Sequence, residues 1–322
     1  MPKVFVTRRI SGPGLGMLKA AGFRVVVHPG TRPPTRAQLL KGAKGCDALL
    51  TLLTDHIDDA VFDAAGPQLK IVSNYTVGFD NFDLAAFKRR GVLAANTAGS
   101  SNTAVAEHAC ALMFAVAKRL LEGDRLLRAG KYRGWDPDLL PGMELSGKTL
   151  GIIGLGRIGS GLAHRAHHGL GMKVLYHDVV RNEAFENAET AAFVGLDELL
   201  KRSDVVSLHV PLLPSTRHLI DAKKLRAMKK TAILINTSRG PVVDEKALVA
   251  ALKAKRIAGA GIDVYEFEPR LAPGLAKLPN AVLTPHTASS TKETRAEMSR
   301  MAAQAIIDVL AGRTPPNLVP LP

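Results

Sequence analysis

The chain has 322 residues, of which 46% are hydrophobic and 22% charged. This length exceeds the usual size of one hydrophobic core, so two globular domains are expected. The 43 basic and 29 acidic side chains give a net charge of +14, but the basic residues are scattered in pairs. Their distribution indicates a solvated basic surface and argues against a nucleic-acid-binding protein.

No apolar run is long enough to span a bilayer, because the longest candidate, Ala104 to Leu121, is interrupted by charged residues. The N-terminal apolar stretch is too short for a signal peptide, so a cytoplasmic protein without a membrane segment is predicted. Two cysteines, Cys46 and Cys110, are too few for a metal cluster or a disulfide framework. Both are expected to be reduced.

Apolar, β-branched segments alternate with helical stretches over the first hundred residues. The predicted strands are Val4 to Thr7, Arg24 to His28, Ala48 to Leu53, Lys70 to Asn74 and Val92 to Asn96. Strands separated by helices predict parallel βαβ units.

A long apolar helix is predicted next, running to about Leu121, with side-chain oxygens at 100–103 to cap its N-terminus. The prolines and glycines between Lys131 and Gly147 then predict an irregular arm, which carries Trp135.

Six further strand candidates follow, enough for a complete dinucleotide-binding sheet. They are KTLGIIG, KVLYHD, DVVSLHV, TAILINTS, AGAGIDV and AVLTPH, the last ending at His286. A final helix is predicted from Thr291 to Gly312.

The motif GLGRIG at 154–159 directly follows the first strand of this second series and precedes a helix. The motif alone is weak, but its context suits a dinucleotide site: Gly154 for the tight turn, Gly156 for close approach of the pyrophosphate and Gly159 for helix packing. Asp178 ends the next strand at the spacing of a ribose-binding carboxylate. It favours NAD, although Arg181 nearby leaves NADP possible.

Ligands of open α/β sheets lie outside the carboxyl ends of the strands, and this series ends in chemically active residues. Those residues are Gly154, Asp178, the His209 to Pro211 segment, the Thr237 to Arg239 segment, Asp263 and His286.

Arg239 offers a fixed fork of donors for a carboxylate, and Gly240 after it would let the backbone turn away. Glu266 and Glu268 share one face of an extended segment, so spacing alone leaves open which of them meets His286. Such pairs are structural more often than catalytic. Beside a nicotinamide pocket, however, arginine, histidine and carboxylate indicate hydride transfer to a 2-oxo acid.

The sequence resembles the D-isomer-specific 2-hydroxyacid dehydrogenase family over nearly its full length. The matching blocks are NYTVGFDNFD at 74–83, LGIIGLGRIG at 150–159, the segment 205–220, INTSRGPVVDE at 235–245, GIDVYEFEP at 261–269 and LTPH at 283–286.

This resemblance implies that Arg239, Glu268 and His286 are catalytic and that Asp263 contacts the nicotinamide amide. It also implies that the backbone of Val77 and Gly78 receives the substrate carboxylate, with Leu53 nearby. Arg239 and His286 would contact the substrate as well. The cofactor contacts we predict are Gly154, Gly156, Arg157, Ile158, Gly159, Asp178, His209, Val210, Pro211, Thr216, Thr237, Ser238, Asp263 and Ala288.

The resemblance further implies two doubly wound α/β domains. A Rossmann NAD(P)-binding domain at 101–287 would be inserted into a flavodoxin-like substrate domain formed by 1–100 and 288–322. Ala288 stands where the family commonly has glycine, so its methyl group either crowds the site or is tolerated.

Within the family, NYTVGFDN and the Gly134–Pro137 arm are most similar to glyoxylate/hydroxypyruvate reductases. That similarity implies a homodimer formed through the cofactor domain, in which Trp135 reaches the partner's active site; the alternative is a tryptophan packed within its own loop. The competing functions are D-lactate or D-3-phosphoglycerate dehydrogenase activity and a non-enzymatic, NAD-sensing binding protein.

One other cluster has the spacing of a metal site. His164, His167 and His168 lie at helical i, i+3 and i+4 positions, but no cysteine or nearby carboxylate in the sequence completes the set. We therefore expect a solvated or packed helix face and no bound metal.

Overall fold

The computed structural model describes all residues, 1–322, and divides into two compact units. The first unit comprises Met1–Ser101 and Ser290–Pro322, and the second comprises Asn102–Ser289. None of the helices combines the length and the apolar character that crossing a membrane requires. Cys46 and Cys110 are free thiols.

The first unit is built on a five-stranded parallel sheet with the order β2-β1-β3-β4-β5. Its strands are β1 Lys3–Val6, β2 Arg24–Val27, β3 Ala48–Thr51, β4 Ile71–Asn74 and β5 Leu93–Ala95. Its helices are α1 Gly14–Ala20, α2 Arg36–Ala43, α3 Asp59–Ala65, α4 Leu84–Arg90 and, from the end of the chain, α12 Lys292–Leu310. The order is that of the flavodoxin-like fold, which confirms the predicted class.

Helix α12 completes this unit although it lies far away in sequence. It packs against α1 and against β4, and Met298, Ala302 and Ile306 on its inner face are buried. The Tyr75 hydroxyl, just after β4, donates a hydrogen bond to the carbonyl of Arg295 at 2.9 Å. The C-terminal segment is therefore an integral part of the first unit.

The second unit is built on a seven-stranded parallel sheet with the order β12-β11-β10-β9-β6-β7-β8. Its strands are β6 Thr149–Ile153, β7 Lys173–His177, β8 Ala191–Phe193, β9 Val205–Leu208, β10 Ile233–Asn236, β11 Gly259–Ile262 and β12 Ala281–Leu283. Its helices are α5 Asn102–Ala117, α6 Leu120–Arg128, α7 Arg157–Leu170, α8 Glu183–Glu189, α9 Leu196–Arg202, α10 Ala222–Ala227 and α11 Glu245–Lys253. From β6 the chain adds β7 and β8 on one side of the sheet, and it then crosses over to add β9 to β12 on the other side. The boundary between β6 and β9 is the topological switch point, where such sheets bind ligands.

Two elements of the second unit differ from the sequence prediction. The edge strand β8 was missed because it is only three residues long and two of them are exposed. The apolar helix ends at Ala117, not near Leu121, because Arg119 adopts a left-handed conformation with φ 52°. The guanidinium of Arg119 pairs with Glu122 in the first turn of α6.

Helix α5 lies against the sheet because a strand residue opposite it has no side chain. A Cβ atom on Gly261 would lie 2.9 Å from the Cβ atom of Leu112, which is tighter than normal van der Waals contact. Leu112 and Met113 are accordingly buried. Glycine on β11 thus allows an apolar helix to cover the sheet that positions the site.

Candidate active site

The glycine turn after β6 has the geometry that its motif predicts. Gly154 has φ +94°, and a Cβ atom there would lie 2.8 Å from the carbonyl of His209. A Cβ atom on Gly159 would lie 2.2 Å from the carbonyl oxygen of Gly154, whereas nothing lies within 4 Å of one on Gly156. The turn is therefore tight, α7 packs directly on it, and the space at Gly156 is open.

Asp178 joins the end of β7 to this turn. One carboxylate oxygen accepts from the Leu155 backbone N–H at 2.6 Å, and the other accepts from the Val179 N–H at 2.6 Å. Arg181 donates two hydrogen bonds to Glu186, at 2.9 and 2.8 Å, and Arg181 together with the Tyr176 hydroxyl lowers the pKa of Glu186 to about 2. The guanidinium of Arg181 is thus already hydrogen-bonded to a carboxylate of its own unit.

His209 and Thr216 shape the next segment around the turn. The backbone N–H of His209 donates to Ile153 at 2.8 Å, and its ring Nε2 lies 2.9 Å from the Ser207 hydroxyl. Burial lowers the pKa of His209 to about 4, so this imidazole is neutral near pH 7. The Thr216 hydroxyl donates to the Pro211 carbonyl at 2.6 Å and closes the following loop.

The loop after β10 is organised by Asn236, a buried residue that the sequence prediction did not include. Its side-chain oxygen accepts from the N–H and hydroxyl of Ser238, at 3.0 and 2.8 Å. Its amide donates to the carbonyl of Arg239 at 3.0 Å. Between these contacts the buried Thr237 hydroxyl has no hydrogen-bond partner in the protein.

These features fit a dinucleotide. A buried hydroxyl without a partner is unfavourable, so Thr237 suits a polar ligand group. The open space at Gly156 at the start of α7 suits a pyrophosphate. Asp178, fixed by backbone N–H groups, suits a ribose hydroxyl.

Arg239 lies where two loops are in backbone contact. A Cβ atom on Gly240 would lie 1.9 Å from the carbonyl of Tyr265. Glycine is required here for this close approach, not for the turn that the sequence suggested. The loop bearing Arg239 is therefore held directly against the segment that leads to Glu268.

The structure separates the two candidate carboxylates. His286 Nδ1 lies 2.9 and 3.1 Å from the two carboxylate oxygens of Glu268. Glu266 instead lies 2.7 Å from the His218 ring, and it also pairs with Arg217 at 3.2 Å. Glu268 is thus the partner of His286, and Glu266 has a structural role.

The protonation of this pair follows from its geometry. Burial tends to raise the pKa of Glu268, but the hydrogen bond and charge of His286, with Tyr265 N–H and Arg239, lower it below its usual value. An ionised carboxylate only accepts hydrogen bonds, so Nδ1 of His286 carries a proton. The opposite nitrogen, Nε2, is the one that can exchange a proton with a substrate.

The loop that carries His286 is held by Asp263. The buried carboxylate accepts from the Thr284 hydroxyl at 2.6 Å, the Thr287 N–H at 2.8 Å and the Ala288 N–H at 2.9 Å. Burial would raise the pKa of Asp263, but these bonds and His108 lower it. The nicotinamide contact implied by the resemblance remains a prediction, whereas the anchoring of this loop is directly visible.

Two further features of this loop were not predicted in detail. His108 on α5 places Nε2 3.0 Å from the Thr284 hydroxyl; its apolar helix gave no signal for this contact. Ala288 is buried and does not adopt a left-handed backbone conformation, so the loop accepts alanine where the family commonly has glycine.

The predicted substrate loop lies in the first unit. Asn96 donates from its amide to the Val77 carbonyl at 2.8 Å, and Asn74 donates to the Gly78 carbonyl at 3.0 Å. Because a trans peptide directs its N–H opposite to its C=O, the Gly78 N–H points away from Asn96. The Leu53 side chain is 44% exposed.

A glycine turn closed by an acid at the end of the next strand, in the same unit as an imidazole held by a carboxylate, is typical of nicotinamide-dependent oxidoreductases. A family model described as "D-isomer specific 2-hydroxyacid dehydrogenase, NAD binding domain" matches residues 110–288. The chain belongs to the D-isomer-specific 2-hydroxyacid dehydrogenases, and it is an NAD(P)-dependent enzyme that acts on small hydroxy acids. The resemblance recognised in the sequence is thereby confirmed.

Similar proteins support the same assignment. A glyoxylate reductase of Korarchaeum cryptofilum is 48% identical over 99% of this chain and 96% of its own. A solved structure from Thermus thermophilus has a TM-score of 0.93 and 43% identity, covering 99% of this chain and all of the other. A D-lactate dehydrogenase of Aquifex aeolicus, solved with NAD and lactic acid, has a TM-score of 0.86 and 28% identity, with 98% of both chains covered.

The lowered pKa of Glu268 predicts a pH-dependent stability difference between the wild type and Glu268→Gln. A carboxyl group whose pKa is lowered on folding stabilises the protein at pH values above its pKa in the unfolded state, which is ordinarily 4.5. This contribution is lost as the pH falls through the lower pKa of the folded state. The difference in free energy of unfolding should therefore have its full value at about pH 6 and shrink as the pH falls below about 4.5. Urea unfolding of both proteins at several pH values measures it; a difference that grows on acidification would contradict the assigned shift.

Proposed function

We propose that the protein reduces glyoxylate and hydroxypyruvate to glycolate and D-glycerate with NADH, in the cytoplasm. The observation that carries this proposal is the His286–Glu268 pair, at 2.9 Å, in the same unit as the glycine turn. The 48% identity to a glyoxylate reductase over nearly the whole chain supports the choice of substrate.

In the proposed reaction, Arg239, Glu268 and His286 act on the reacting group. The Arg239 guanidinium binds the substrate carboxylate and polarises the ketone. His286 donates the proton on Nε2 to the ketone oxygen, while Glu268 orients the ring through Nδ1. The reduced nicotinamide, when bound, supplies the hydride to C2. The products are the 2-hydroxy acid and the oxidised cofactor.

The remaining contacts belong to the same proposal. The backbone of Val77 and Gly78 and the side chain of Leu53 bind the substrate. Binding of the dinucleotide is assigned to Gly154, Gly156, Arg157, Ile158, Gly159, Asp178, His209, Val210, Pro211, Thr216, Thr237, Ser238, Asp263 and Ala288. These residues follow β6, β7, β9, β10, β11 and β12, at the carboxyl edge of one parallel sheet.

The proposed cofactor preference is NADH over NADPH. Asp178 would accept the ribose 2′-hydroxyl and repel a 2′-phosphate. Arg181, the cation that could offset this repulsion, is held by two hydrogen bonds to Glu186. Val179, next to Asp178, is uncharged and 97% exposed.

The proposed assembly is a homodimer through the second unit. Helix α6 has no buried residue, and Leu120 and Leu127 on it are 53% and 61% exposed. Trp135 in the following arm is 84% exposed, so it is not packed within its own loop. Exposed apolar groups of this kind are typical of a surface that a partner covers.

The proposed function predicts a defined substrate profile. NADH oxidation measured against glyoxylate, hydroxypyruvate, pyruvate, phosphohydroxypyruvate and 2-oxoglutarate should give the highest kcat/KM for the first two. Preference for pyruvate would indicate a D-lactate dehydrogenase. Absence of turnover with any 2-oxo acid would indicate an NAD-sensing protein.

His286→Ala should lower kcat at least about 100-fold, the usual scale of general acid catalysis, while NADH binding measured by fluorescence persists.

Asp178 provides the test of cofactor preference. Asp178→Ala removes the charge that repels the 2′-phosphate, so kcat/KM for NADH should fall and that for NADPH should rise. Val180→Ala, a change at a 72% exposed neighbour, is the matched control and should leave the NADH to NADPH ratio unchanged. A wild-type enzyme that already prefers NADPH would refute the proposal.

Trp135 tests whether the arm acts across subunits. Trp135→Ala should raise KM for the 2-oxo acid, while sedimentation should still show a dimer because the dimer contact is assigned to α6. Substitution of both Leu120 and Leu127 by Glu should instead yield monomers. A wild-type protein that sediments as a monomer at micromolar concentration would rule out the homodimer.

A further inference from the structure

Two histidines and a glutamate meet on the surface of the second unit, and none of them is assigned to the reaction. His164 and His168 lie one turn apart on α7, and Glu189 is the last residue of α8. His164 Nδ1 lies 2.9 Å from one oxygen of Glu189, and His168 Nε2 lies 2.9 Å from the other. The sequence next to the histidines contains no such carboxylate. The fold brings one to them, since Glu189 follows His168 by 21 residues.

The spacing of these three groups is close to that of a metal site. One potential ligand atom from each residue lies within 4.8 Å of the other two. Ligands about 2.0–2.1 Å from a tetrahedral ion stand roughly 3.3 Å apart, so only small side-chain movements are needed. The histidine side chains are 57% and 52% exposed, which leaves them room to move, whereas the Glu189 side chain is only 14% exposed and fixed.

The surroundings favour a cation. His168 lies in the last turn of α7, and Glu189 lies at the end of α8. The carboxyl ends of both helices carry partial negative charge, which adds to the charge of the glutamate.

We propose that His164, His168 and Glu189 bind a divalent transition-metal ion such as Zn²⁺, with water in the fourth position. Two imidazoles and one carboxylate suit zinc, cobalt, nickel or copper and disfavour magnesium and calcium, which prefer oxygen ligands. The imidazoles bind through Nδ1 of His164 and Nε2 of His168, the atoms that face Glu189.

The ion would connect two parts of the unit that begin at the dinucleotide turn. Helix α7 starts directly after Gly156, and α8 starts five residues after Asp178. A metal held by His164, His168 and Glu189 would fix α8 and the edge strand β8 against the second half of α7. Its effect is expected on the stability of this unit and not on the chemical step.

The test is metal binding by the full-length protein after removal of any histidine tag. Isothermal titration with ZnCl₂ should show one equivalent bound per chain, and the midpoint of thermal unfolding should rise with ZnCl₂ but not with MgCl₂. Co²⁺ should give the intense visible absorption of a tetrahedral site. X-ray absorption of the Zn²⁺ form should show imidazole ligands.

The variants assign the site. His164→Gln, His168→Gln and Glu189→Gln should each weaken Zn²⁺ binding by more than about 100-fold, since loss of an outer-shell partner alone costs 10–100-fold. His167→Gln is the matched control on the same helix; this ring bonds to the Met172 carbonyl, and its loss should leave binding unchanged. His286 and Glu268 could also bind Zn²⁺ weakly, so the titration is repeated with the His286→Ala variant. The one equivalent of Zn²⁺ at the proposed surface site must still bind to that variant.

The outcomes are distinct. No bound equivalent in the wild type, or an equivalent retained in both His164→Gln and Glu189→Gln, overturns the site. An equivalent lost only in His286→Ala overturns it as well and places the metal at the catalytic pair. Since these measurements do not depend on turnover, they are independent of the proposed function.

Discussion

The buried carboxylate of Asp263 is the constraint on which the geometry of the candidate site depends. Its two oxygens accept from Thr284, Thr287 and Ala288, while its own carbonyl accepts from the His286 N–H at 2.8 Å. One residue at the end of β11 thus holds both sides of the loop after β12. His286 sits between these contacts with φ 54°, a conformation that a non-glycine residue adopts only when its surroundings impose it.

A second constraint brings the opposite side of the site into position. The loop after β10 and the segment after β11 touch at Gly240 and Tyr265, with no space for a side chain. The N–H of Tyr265 also donates to Glu268 at 3.1 Å, and the Tyr265 hydroxyl donates to the Thr284 carbonyl at 2.9 Å. Tyr265 therefore contacts the segments after β10, β11 and β12, which carry the proposed catalytic residues. These contacts fix the ends of β10, β11 and β12 relative to one another, and the positions of the proposed catalytic side chains follow from that arrangement.

Much of this fold could be predicted from the sequence, because parallel strands buried on both faces are continuous apolar runs. All five strands of the first unit and six of the seven strands of the second lie where those runs predict. The missed strand, β8, pairs only with β7 at the sheet edge, so its sequence carries no comparable apolar signal. The break between α5 and α6 was missed for a different reason: it depends on the left-handed conformation of Arg119, and apolar residues resume directly after it at Leu120.

The candidate site was predictable by residue type but not by pairing. Period-two spacing placed Glu266 and Glu268 on one face of an extended segment, yet the segment turns, with a bridge between Phe267 and Arg270. Glu266 then accepts from Arg217 and lies against His218, and only Glu268 faces His286. In the same way, the spacing of the histidines on α7 did not predict that Glu189 on α8 lies beside His164. A carboxylate's role is set by which cation the fold brings within about 3 Å, and spacing along one element contains no information about partners on another.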